Sequence, residues 1–356
     1  MHISTAKSWR GGEQQVAYLY EALQRKNIEQ LIICATESEL SKACAAKNYR
    51  YEKVTKQWNF DFFYAAKMVS IAIKFKATII HTHDAHAHTL ALIAKIFFGM
   101  KAKLIVSRRV DFPVANNLFS SWKYNSQHIS KIICVSEAIK NIMLQSVPET
   151  KLAVVYSGID CEKFKTPSGV LRSEFKIADD TLIIANVAAI APHKDYFTFL
   201  NTVKILKETY LLNAKYLIVG DGNLRQNIEK KIGELQLQKD IILTGFRSDI
   251  VHVFTEIDIL LFTSETEGLG TTVLDAFCCG VPVVATRAGG VTELVTHEKT
   301  GMLAEIKDAK TLAESVIWLI SNPTLKQQII ADAKLKAQHF SKSVMAEKTW
   351  EIYKQV

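Results

Sequence analysis

The chain has 356 residues, of which 48% are hydrophobic and 22% are charged, a balance typical of a globular protein. This length exceeds one ordinary hydrophobic core and predicts two α/β domains. No apolar run approaches the ~18 residues that a membrane-spanning helix needs, and the N-terminus lacks a signal-peptide pattern, so we expect a cytoplasmic protein. The six cysteines form no Cys-x-x-Cys pair, which predicts reduced core thiols.

The positive charge is concentrated in the first half of the chain. Residues 1–164 hold 22 Lys and Arg against 13 Asp and Glu, a net charge of +9, whereas residues 165–356 hold 22 against 23, a net charge of −1. No nucleic-acid recognition motif accompanies this charge. We therefore expect the first half to contact another anionic partner; the alternative is that these lysines serve solubility alone.

The chain opens with a very short strand at residues 1–5, and its length leads us to expect a few residues upstream of Met1. Gly11 and Gly12 then stand directly before a segment with apolar residues at helical spacing. A glycine pair at a helix N-terminus offers free backbone amides to a phosphate. Gly-Gly turns without a ligand are also common, so this motif alone is a weak signal.

A strand at residues 78–83 ends in a cluster of four histidines and one carboxylate. The side chains are His81, His83, Asp84, His86 and His88. Such a cluster binds zinc when three ligands converge. Alternation along the strand places His81 and His83 on one face but defines no three-ligand geometry. Histidines that line a cleft without a metal explain the same pattern, and we expect no metal site.

The strand at 104–107 runs into Arg108 and Arg109. Two adjacent arginines in a cleft bind phosphate or carboxylate in bidentate fashion, and outside a cleft they form an ordinary surface pair. Strands at 131–135 and 153–156 complete the first half. Residues 161–180 have no periodic pattern, which predicts the crossing into the second domain.

In the second half, Lys194 occupies a loop between a strand and a helix. A later strand ends in Gly220-x-Gly222, but Arg225 stands where a dinucleotide-binding fold has its third glycine, so we expect no nicotinamide cofactor. Apolar runs predict strands at 182–187, 216–219, 241–247, 257–262 and 283–286, and amphipathic spacing predicts helices at 308–321, 324–339 and 343–355.

The stretch from 257 to 279 carries the strongest chemical pattern. A buried strand leads into a loop with two glycines, and a helix begins near Thr271. This order places a helix N-terminus, with its free amides and positive dipole end, at the carboxyl edge of a parallel sheet. Glu267 and Asp275 flank that terminus, and paired carboxylates suit hydroxyl donors rather than anions. The pattern predicts a polyol ligand that carries a phosphate.

Residues 264–295 resemble the retaining glycosyltransferases of family 4. The resemblance rests on Glu267-x7-Asp275 and on the Leu-Asp-Ala-Phe, Gly-Val-Pro-Val-Val-Ala-Thr and Gly-Gly-Val-Thr-Glu-Leu-Val segments around it. Weaker matches extend from Gly11 to the C-terminus. The resemblance implies the GT-B fold, an α/β architecture of two Rossmann-like domains that face a cleft. The implied domains are an acceptor-binding domain at 1–164, a nucleotide-sugar-binding domain at 165–340 and a helix at 341–356 that packs back on the first domain.

The resemblance also assigns roles to individual residues. It implies that Glu267 binds hydroxyls of the donor sugar, Lys194 the diphosphate and Asp275 the ribose. The predicted catalytic residues are Glu267, Lys194 and Gly12. The predicted donor-binding residues are Asp275, Gly11, Gly245, Phe246, Arg247, Gly268, Leu269, Gly270, Thr271 and Thr272. The predicted acceptor-binding residues are Arg108, Arg109 and His83, and no metal ligand is predicted.

Three positions depart from the family pattern. Asp275 replaces the usual Glu, and Ala189 stands where relatives have an Arg that contacts the diphosphate. Arginine also follows the strand at 104–107, where many relatives have a histidine that contacts the donor sugar. Because one lysine compensates a diphosphate poorly, we expect a second cation, with the candidates Arg10, Arg108, Arg109 and Arg247.

The resemblance implies metal-independent transfer of a hexose, with retention, from a UDP- or GDP-sugar to a glycan or glycolipid. The expected setting is the synthesis of cell-envelope polysaccharide or lipopolysaccharide. Lysines and apolar residues share the segments 67–76 and 95–103, which predicts peripheral contact with an anionic membrane, on the cytoplasmic face of the inner membrane. Two alternatives stay open: a nucleotide-sugar epimerase and a non-catalytic binding protein on the same scaffold.

Overall fold

The structure, a computed structural model, describes residues 1–58, 60–114, 118–164 and 170–356. It divides into two compact units: unit 1 comprises Met1–Gly158 and Lys342–Val356, and unit 2 comprises Ile159–Ser341. The chain therefore passes between the units at 158/159 and at 341/342, where the sequence predicted 164/165 and 340/341. The patternless segment predicted at 161–180 lies partly outside the described residues.

Unit 1 is built on a sheet of seven parallel strands in the order β3-β2-β1-β4-β5-β6-β7. Its central strands are nearly all buried, because helices cover both faces of a parallel sheet. The strands are β1 His2–Ser4, β2 Ile32–Cys34, β3 Tyr51–Lys53, β4 Ile79–Thr82, β5 Lys103–Arg108, β6 Ile129–Cys134 and β7 Leu152–Val154.

Short polar side chains start most helices of this unit. Ser38, Asp61, Asp84 and Ser136 each accept a backbone N–H from the first turn of the helix that follows, the usual role of an N-cap residue. The helices are α1 Gly11–Gln24, α2 Glu39–Ala46, α3 Phe62–Lys74, α4 Ala85–Phe97, α5 Leu118–Asn125 and α6 Glu137–Leu144.

Unit 2 repeats this plan with six parallel strands in the order β10-β9-β8-β11-β12-β13. Its core lies between the sheet and the helices and includes the fully buried Phe199, Leu261 and Val284. The strands are β8 Leu182–Val187, β9 Ala214–Val219, β10 Ile241–Gly245, β11 Ile259–Phe262, β12 Val283–Thr286 and β13 Met302–Ala304.

The helices of unit 2 follow the strands in the order that a Rossmann-like fold requires. They are α7 Val170–Phe175, α8 Tyr196–Glu208, α9 Arg225–Glu234, α10 Ile250–Phe254, α11 Thr271–Cys279, α12 Val291–Leu294, α13 Ala309–Ser321 and α14 Pro323–Gln338. Short 3₁₀ turns lie at Cys161–Phe164 and Pro192–Lys194.

The last helix, α15 (Lys342–Gln355), returns to unit 1 and packs against α1. Met345, Ala346 and Ile352 of α15 share a buried cluster with Leu19 and Leu23 of α1. The two Rossmann-like units and the returning C-terminal helix confirm the predicted fold class.

No helix within the described ranges is both long and apolar enough to cross a membrane.

Both sheets have a switch point, where neighbouring strands connect onward in opposite directions. In unit 1 the switch lies between β1 and β4, and in unit 2 between β8 and β11. Loops that leave such a pair of strands diverge and open a crevice at the carboxyl edge, which is where open α/β sheets bind ligands. Each unit therefore offers one candidate site, and the predicted site residues fall around both.

Candidate active site

At the switch point of unit 2, the loop after β8 meets the loop after β11. The backbone N–H of Glu265 donates to the carbonyl of His193 at 2.8 Å, which ties the two loops together. Asn186, at the end of β8, donates to the hydroxyl of Thr263 at 3.2 Å. These contacts hold the predicted catalytic pair Lys194 and Glu267 on facing loops.

Lys194 and Glu267 form an ion pair in this crevice. The hydroxyl of Ser264 donates to the same oxygen of Glu267 at 2.7 Å. Both charged side chains are mostly buried, with exposed fractions of 16% for Lys194 and 11% for Glu267. A cation and a carboxylate thus lie side by side near the N-terminus of α11, a set that suits a ligand with both a phosphate and hydroxyl groups.

Two glycines after β12 support the loop that carries Glu267. A Cβ at Gly289 would lie 2.5 Å from the carbonyl oxygen of Glu267, and a Cβ at Gly290 would lie 2.4 Å from that of Gly268. The Gly290 N–H also donates to the Glu267 carbonyl at 3.0 Å. Only glycine leaves room for this close packing of two backbones.

The predicted ribose ligand Asp275 lies one turn into α11 and is paired with Lys163, with 3.0 Å between Nζ and Oδ1. Burial raises the pKa of Asp275, and the Lys163 cation partly offsets this shift. Lys163 belongs to the 3₁₀ turn at Cys161–Phe164, which packs on α11. Asp275, the second carboxylate of the Glu267-x7-Asp275 pattern, therefore already has a partner in this structure.

A disulfide between Cys161 and Cys278 joins the same two elements. The prediction of six free thiols was therefore wrong for this pair, because the two cysteines lie far apart in sequence and only the fold brings them together. Cys34, Cys44, Cys134 and Cys279 are free thiols, as predicted.

Three further predicted donor residues of unit 2 lie at the end of β10 and directly after it: Gly245, Phe246 and Arg247. Gly245 adopts φ +72°, a conformation that favours glycine, and the neighbouring Phe246 is exposed. The Arg247 guanidinium is bonded by Glu174 at 2.6 Å and by Asp249 at 2.6 and 2.8 Å. Because two carboxylates already neutralise Arg247, it is a poor second cation for a diphosphate.

Gly220 and Gly222 have a structural explanation. A Cβ at Gly220 would lie 2.0 Å from the carbonyl oxygen of Ala188, and one at Gly222 would lie 2.3 Å from that of Ile190. The two glycines therefore allow the loop after β9 to pack against the loop after β8.

At the switch point of unit 1, an open cavity of about 750 Å³ contains the predicted acceptor-binding residues. Its walls come from the loop after β1, the start of α4, the end of β5 and helix α5. Arg108, Arg109, His83 and Gly12 all line it, together with Lys123, which the sequence did not single out.

Gly11 and Gly12 lie at the start of α1, as the sequence predicted, and Gly12 lines one side of this cavity. The carboxylate of Glu13 accepts the N–H of Arg10 at 3.1 Å and the hydroxyl of Ser4 at 3.2 Å. Burial raises the pKa of Glu13. The side chain of Arg109 passes beside Gly12, 3.9 Å from where a Cβ would stand. The side chain of Arg109 thus passes beside the start of α1, where the Glu13 carboxylate already accepts a backbone N–H.

Arg108 and Arg109, adjacent in sequence, point to different partners. Arg109 donates to the hydroxyl of Ser157 at 3.3 Å, and burial lowers its pKa to about 10. Arg108 donates to the hydroxyl of Tyr124 at 2.8 Å and to the carbonyl of Phe112. The two guanidiniums therefore contact different groups, although both side chains line the same cavity.

A chain of hydrogen bonds orients His83. Gln30 donates its amide N–H to the carbonyl of Tyr20 at 3.0 Å, so its oxygen accepts from His2 Nε2 at 3.0 Å. His2 Nδ1 is then the acceptor for Nε2–H of His83 at 3.2 Å. This assignment leaves Nδ1 of His83 as a buried acceptor without a partner among the described residues.

His2, His81 and His83 bring one ring nitrogen each within 4.8 Å of one another, a spacing that a metal ion could bridge. Both nitrogens of His81 already bond, to the hydroxyls of Tyr353 at 2.6 Å and Ser107 at 2.8 Å. His2 is likewise bonded at both nitrogens. A metal would have to displace several of these bonds, and the absence of a metal site stays a prediction.

Sequence reasoning missed several residues of these sites. Lys123, Gln30 and Lys163 carried no motif, and a buried lysine in a short helix looks like any surface lysine in a sequence. His2 was overlooked because its partners come from other strands. Ser264 lies three residues before Glu267, and this spacing could have predicted the hydrogen bond from its hydroxyl to the Glu267 carboxylate.

Family models match nearly the whole chain. The model described as "Glycosyl transferases group 1" matches residues 169–336, and the model described as "Glycosyltransferase Family 4" matches residues 9–163. The first match covers most of unit 2 and the second covers most of unit 1.

Similar proteins include two curated bacterial enzymes. N-acetyl-alpha-D-glucosaminyl L-malate synthase of Bacillus anthracis is 27% identical over 281 residues, which cover 76% of this chain and 72% of that protein. N,N'-diacetylbacillosaminyl-diphospho-undecaprenol alpha-1,3-N-acetylgalactosaminyltransferase of Campylobacter jejuni is 26% identical over 320 residues, which cover 83% and 81%.

Among solved structures, HepE of Anabaena in complex with UDP and glucose has a TM-score of 0.87. It is 20% identical to this chain, and the likeness covers 100% of this chain and 99% of that one. At this identity the likeness shows a shared fold.

Proposed function

Because the chain belongs to the family 4 glycosyltransferases, with the GT-B fold, we propose that it transfers a hexose from a UDP- or GDP-sugar to a glycan or glycolipid, with retention at the anomeric carbon. The observation that carries this proposal is the pair of Lys194 and Glu267 beside the start of α11. A phosphate-binding cation and a hydroxyl-binding carboxylate are the two groups that a sugar diphosphate needs at once.

On the donor side, Lys194 and the amides of Thr271 and Thr272 stabilise the departing diphosphate. Glu267 accepts hydrogen bonds from the sugar hydroxyls and fixes the anomeric carbon in place. Asp275 binds the ribose once Lys163 is displaced or shared. Gly245 and Phe246 lie near the base, where the exposed ring of Phe246 is available for stacking.

Glu267 is held by Lys194 and Ser264, so its carboxylate is not free for nucleophilic attack on the sugar. We therefore assign front-side attack. The acceptor oxygen bonds to the anomeric carbon on the face from which the diphosphate leaves, and its proton passes to the leaving phosphate oxygen. The protein's contribution is to position both substrates and to stabilise the developing charge.

On the acceptor side, the cavity of unit 1 binds the glycan, with His83 facing the acceptor. The relative in Campylobacter is named for a diphospho-undecaprenol-linked acceptor, which supports a lipid-linked acceptor in cell-envelope synthesis. Lipopolysaccharide or another envelope polysaccharide is the setting that we propose.

Surface features of unit 1 support peripheral membrane contact. We define the aromatic patch as Phe62, Phe63, Phe97 and Phe98 at adjoining ends of α3 and α4. The Phe62 and Phe97 rings lie 5.3 Å apart, and Phe63 is 87% exposed. The same two segments also carry exposed lysines, and aromatic and basic side chains together suit an anionic leaflet. The lysines are Lys67, Lys74, Lys76, Lys101 and Lys103.

A donor screen tests the proposal. The purified chain is incubated with each common nucleotide-sugar and a bacterial glycolipid extract, and free nucleotide and labelled glycolipid are measured. Turnover with one donor and an anomeric configuration kept in the product, read by NMR, are expected. Turnover should survive EDTA. Conversion of the donor alone into an epimer, or inversion at the anomeric carbon, would contradict the proposal.

A further inference from the structure

The cavity of unit 1 contains two buried cations that have no carboxylate partner in the described part of the chain. Arg108 is 5% exposed and Lys123 is 7% exposed. Their hydrogen bonds go to neutral oxygens, namely the Tyr124 hydroxyl, the Phe112 carbonyl and, from Lys123 at 2.6 Å, the Ala85 carbonyl. Both cations line the 750 Å³ cavity.

Asp84, the acidic group that acts on Lys123, is already engaged. Asp84 starts α4 by accepting the N–H groups of His86 and Ala87 at 3.0 and 2.8 Å. Its oxygens also accept the backbone N–H and the hydroxyl of Thr5 at 2.6 and 2.8 Å. Asp84 influences Lys123 only at longer range, where it partly offsets the burial that lowers the pKa of Lys123 to about 8.

Buried charges without a counterion are costly, so proteins keep them where a ligand supplies the opposite charge. Two aromatic rings hold the Arg108 guanidinium in position before any ligand binds. The Arg108 guanidinium lies 4.9 Å from the ring centre of Phe112 and 5.3 Å from that of Tyr124. The Nε of Arg108 has no hydrogen-bond partner among the described residues. Only one of the three N–H groups of Lys123 donates a hydrogen bond to a described acceptor.

His88 completes the wall of this region. It is fully buried, and its ring meets Tyr124 edge to face at 5.1 Å. We name Arg108, Lys123 and His88 the oxyanion pocket. It differs from the pair of Arg109 and Gly12, which lies at the start of α1.

We propose that the oxyanion pocket recognises an anionic substituent of the acceptor, a phosphate monoester or a carboxylate, so that this transferase acts on acidic rather than neutral glycans. The proposal rests on the proposed function for the identity of the acceptor, but the pocket itself is defined by unit 1 alone. Bidentate donors on Arg108 and a point charge on Lys123 match the shape of either oxyanion.

The test is a calorimetric titration of the full chain with inorganic phosphate and, separately, with glucuronate, at constant ionic strength set with chloride. Lys123→Met and Arg108→Gln each remove one cation of the pocket. We expect either change to weaken binding by roughly tenfold or more, the effect of losing a charge-assisted hydrogen bond. The matched control Lys42→Met removes an exposed cation of the same unit and should bind as wild type.

A second arm separates this pocket from the donor site. All titrations are repeated with saturating UDP and GDP, and nucleotide binding is measured for each variant. Anion binding that persists with nucleotide and falls in both variants supports the pocket, and the tighter anion identifies the acceptor's acidic group. Three results would overturn the proposal: no anion binding to wild type, displacement of the bound anion by nucleotide, or equal anion affinity in wild type and both variants. Failure of nucleotide binding alone would instead count against the proposed function.

Folding is checked in the same variants. Arg108→Lys keeps the charge and should retain more anion affinity than Arg108→Gln. If Arg108→Gln does not fold, Lys123→Met decides the outcome, since its apolar chain fits the same space. A neutral glycan accepted as well as its acidic counterpart by a folded wild type would also reject the proposal.

Discussion

His83 Nε2 lies 3.2 Å from His2 Nδ1, and Gln30 sets the direction of that hydrogen bond from the far side of His2. This direction leaves Nδ1 of His83 unprotonated and without a hydrogen-bond partner among the described residues. We expect nitrogen NMR shifts to show His83 as the Nε2–H tautomer at neutral pH. Gln30→Leu should mix the tautomers and lower transfer a fewfold without changing nucleotide affinity. If His83 keeps a single, unchanged tautomer in Gln30→Leu, Gln30 does not set that tautomer.

The buried histidines of unit 1 should make its stability depend on pH. Burial lowers the pKa of His2 to about 3 and holds the pKa values of His81, His83 and His88 well below their usual range. Well above pH 6.5 these histidines are neutral in both the folded and the unfolded chain, and the full stability is present. As pH falls from 7 to 5, the unfolded chain takes up protons that the folded chain excludes, so stability is lost.

Each such histidine contributes a slope of up to ~1.4 kcal/mol per pH unit below its unfolded pKa. His88→Leu removes one of them and should give a shallower slope. Native-state hydrogen exchange of β4 amides at pH 7, 6 and 5 measures this in unit 1. Equal slopes in the two proteins would mean that His88 is protonated in the fold.

Glu267→Gln should keep nucleotide binding and lose most transfer. The amide keeps the shape of the side chain but gives up the charged hydrogen bonds to the sugar, worth about 1.5–3 kcal/mol, which is a loss of ten- to a hundredfold. It also breaks the ion pair with Lys194. Steady-state kinetics and nucleotide titration are the measurements. Wild-type turnover would refute the role of Glu267.

Asp275→Ala should weaken nucleotide affinity more than it slows saturated turnover, because the ribose is bound alike in ground and transition states. Asp275→Glu should be tolerated, since Glu is the usual residue of the family. Lys163→Met tests the partner of Asp275. Its effect on nucleotide affinity should not add to the effect of Asp275→Ala, because the two residues form one ion pair. An inactive Asp275→Glu would indicate a different ribose site.

Vesicle sedimentation across a salt series checks the membrane contact. We expect wild type to bind anionic vesicles more than neutral ones, and less as salt rises. Lys101→Glu and Lys103→Glu should weaken binding, and Phe63→Ser should weaken it with little change in salt dependence. Lys42→Glu, on α2, is the matched control. Equal, salt-insensitive binding to both vesicle types would remove the membrane contact.

The sequence predicted the strands and long helices well because their apolar patterns are strong. Strand β8 was predicted at 182–187 and β12 at 283–286, with the bounds that the structure has. Strands β3 and β13 were missed. Both are only three residues long, and β3 is partly exposed, so neither has a pattern that a single sequence reveals.

Within the candidate sites, the sequence identified side chains by their chemistry but not by their partners. Glu267 and Lys194 were both predicted, yet their ion pair depends on two loops that follow non-consecutive strands. Arg108 and Arg109 were treated as a pair, although their guanidiniums contact different partners. Lys163 with Asp275 joins segments more than a hundred residues apart, which no local pattern encodes.

The return of α15 to unit 1 affects the order in which the protein can form during synthesis. Unit 2 is one continuous stretch, complete once Ser341 has left the ribosome, whereas unit 1 waits for Lys342–Val356. Until then the faces of Leu19 and Leu23 that Met345 and Ile352 later cover are open to water or to chaperones. The half that is made first is therefore finished last, and loss of the final residues would impair unit 1 while sparing unit 2.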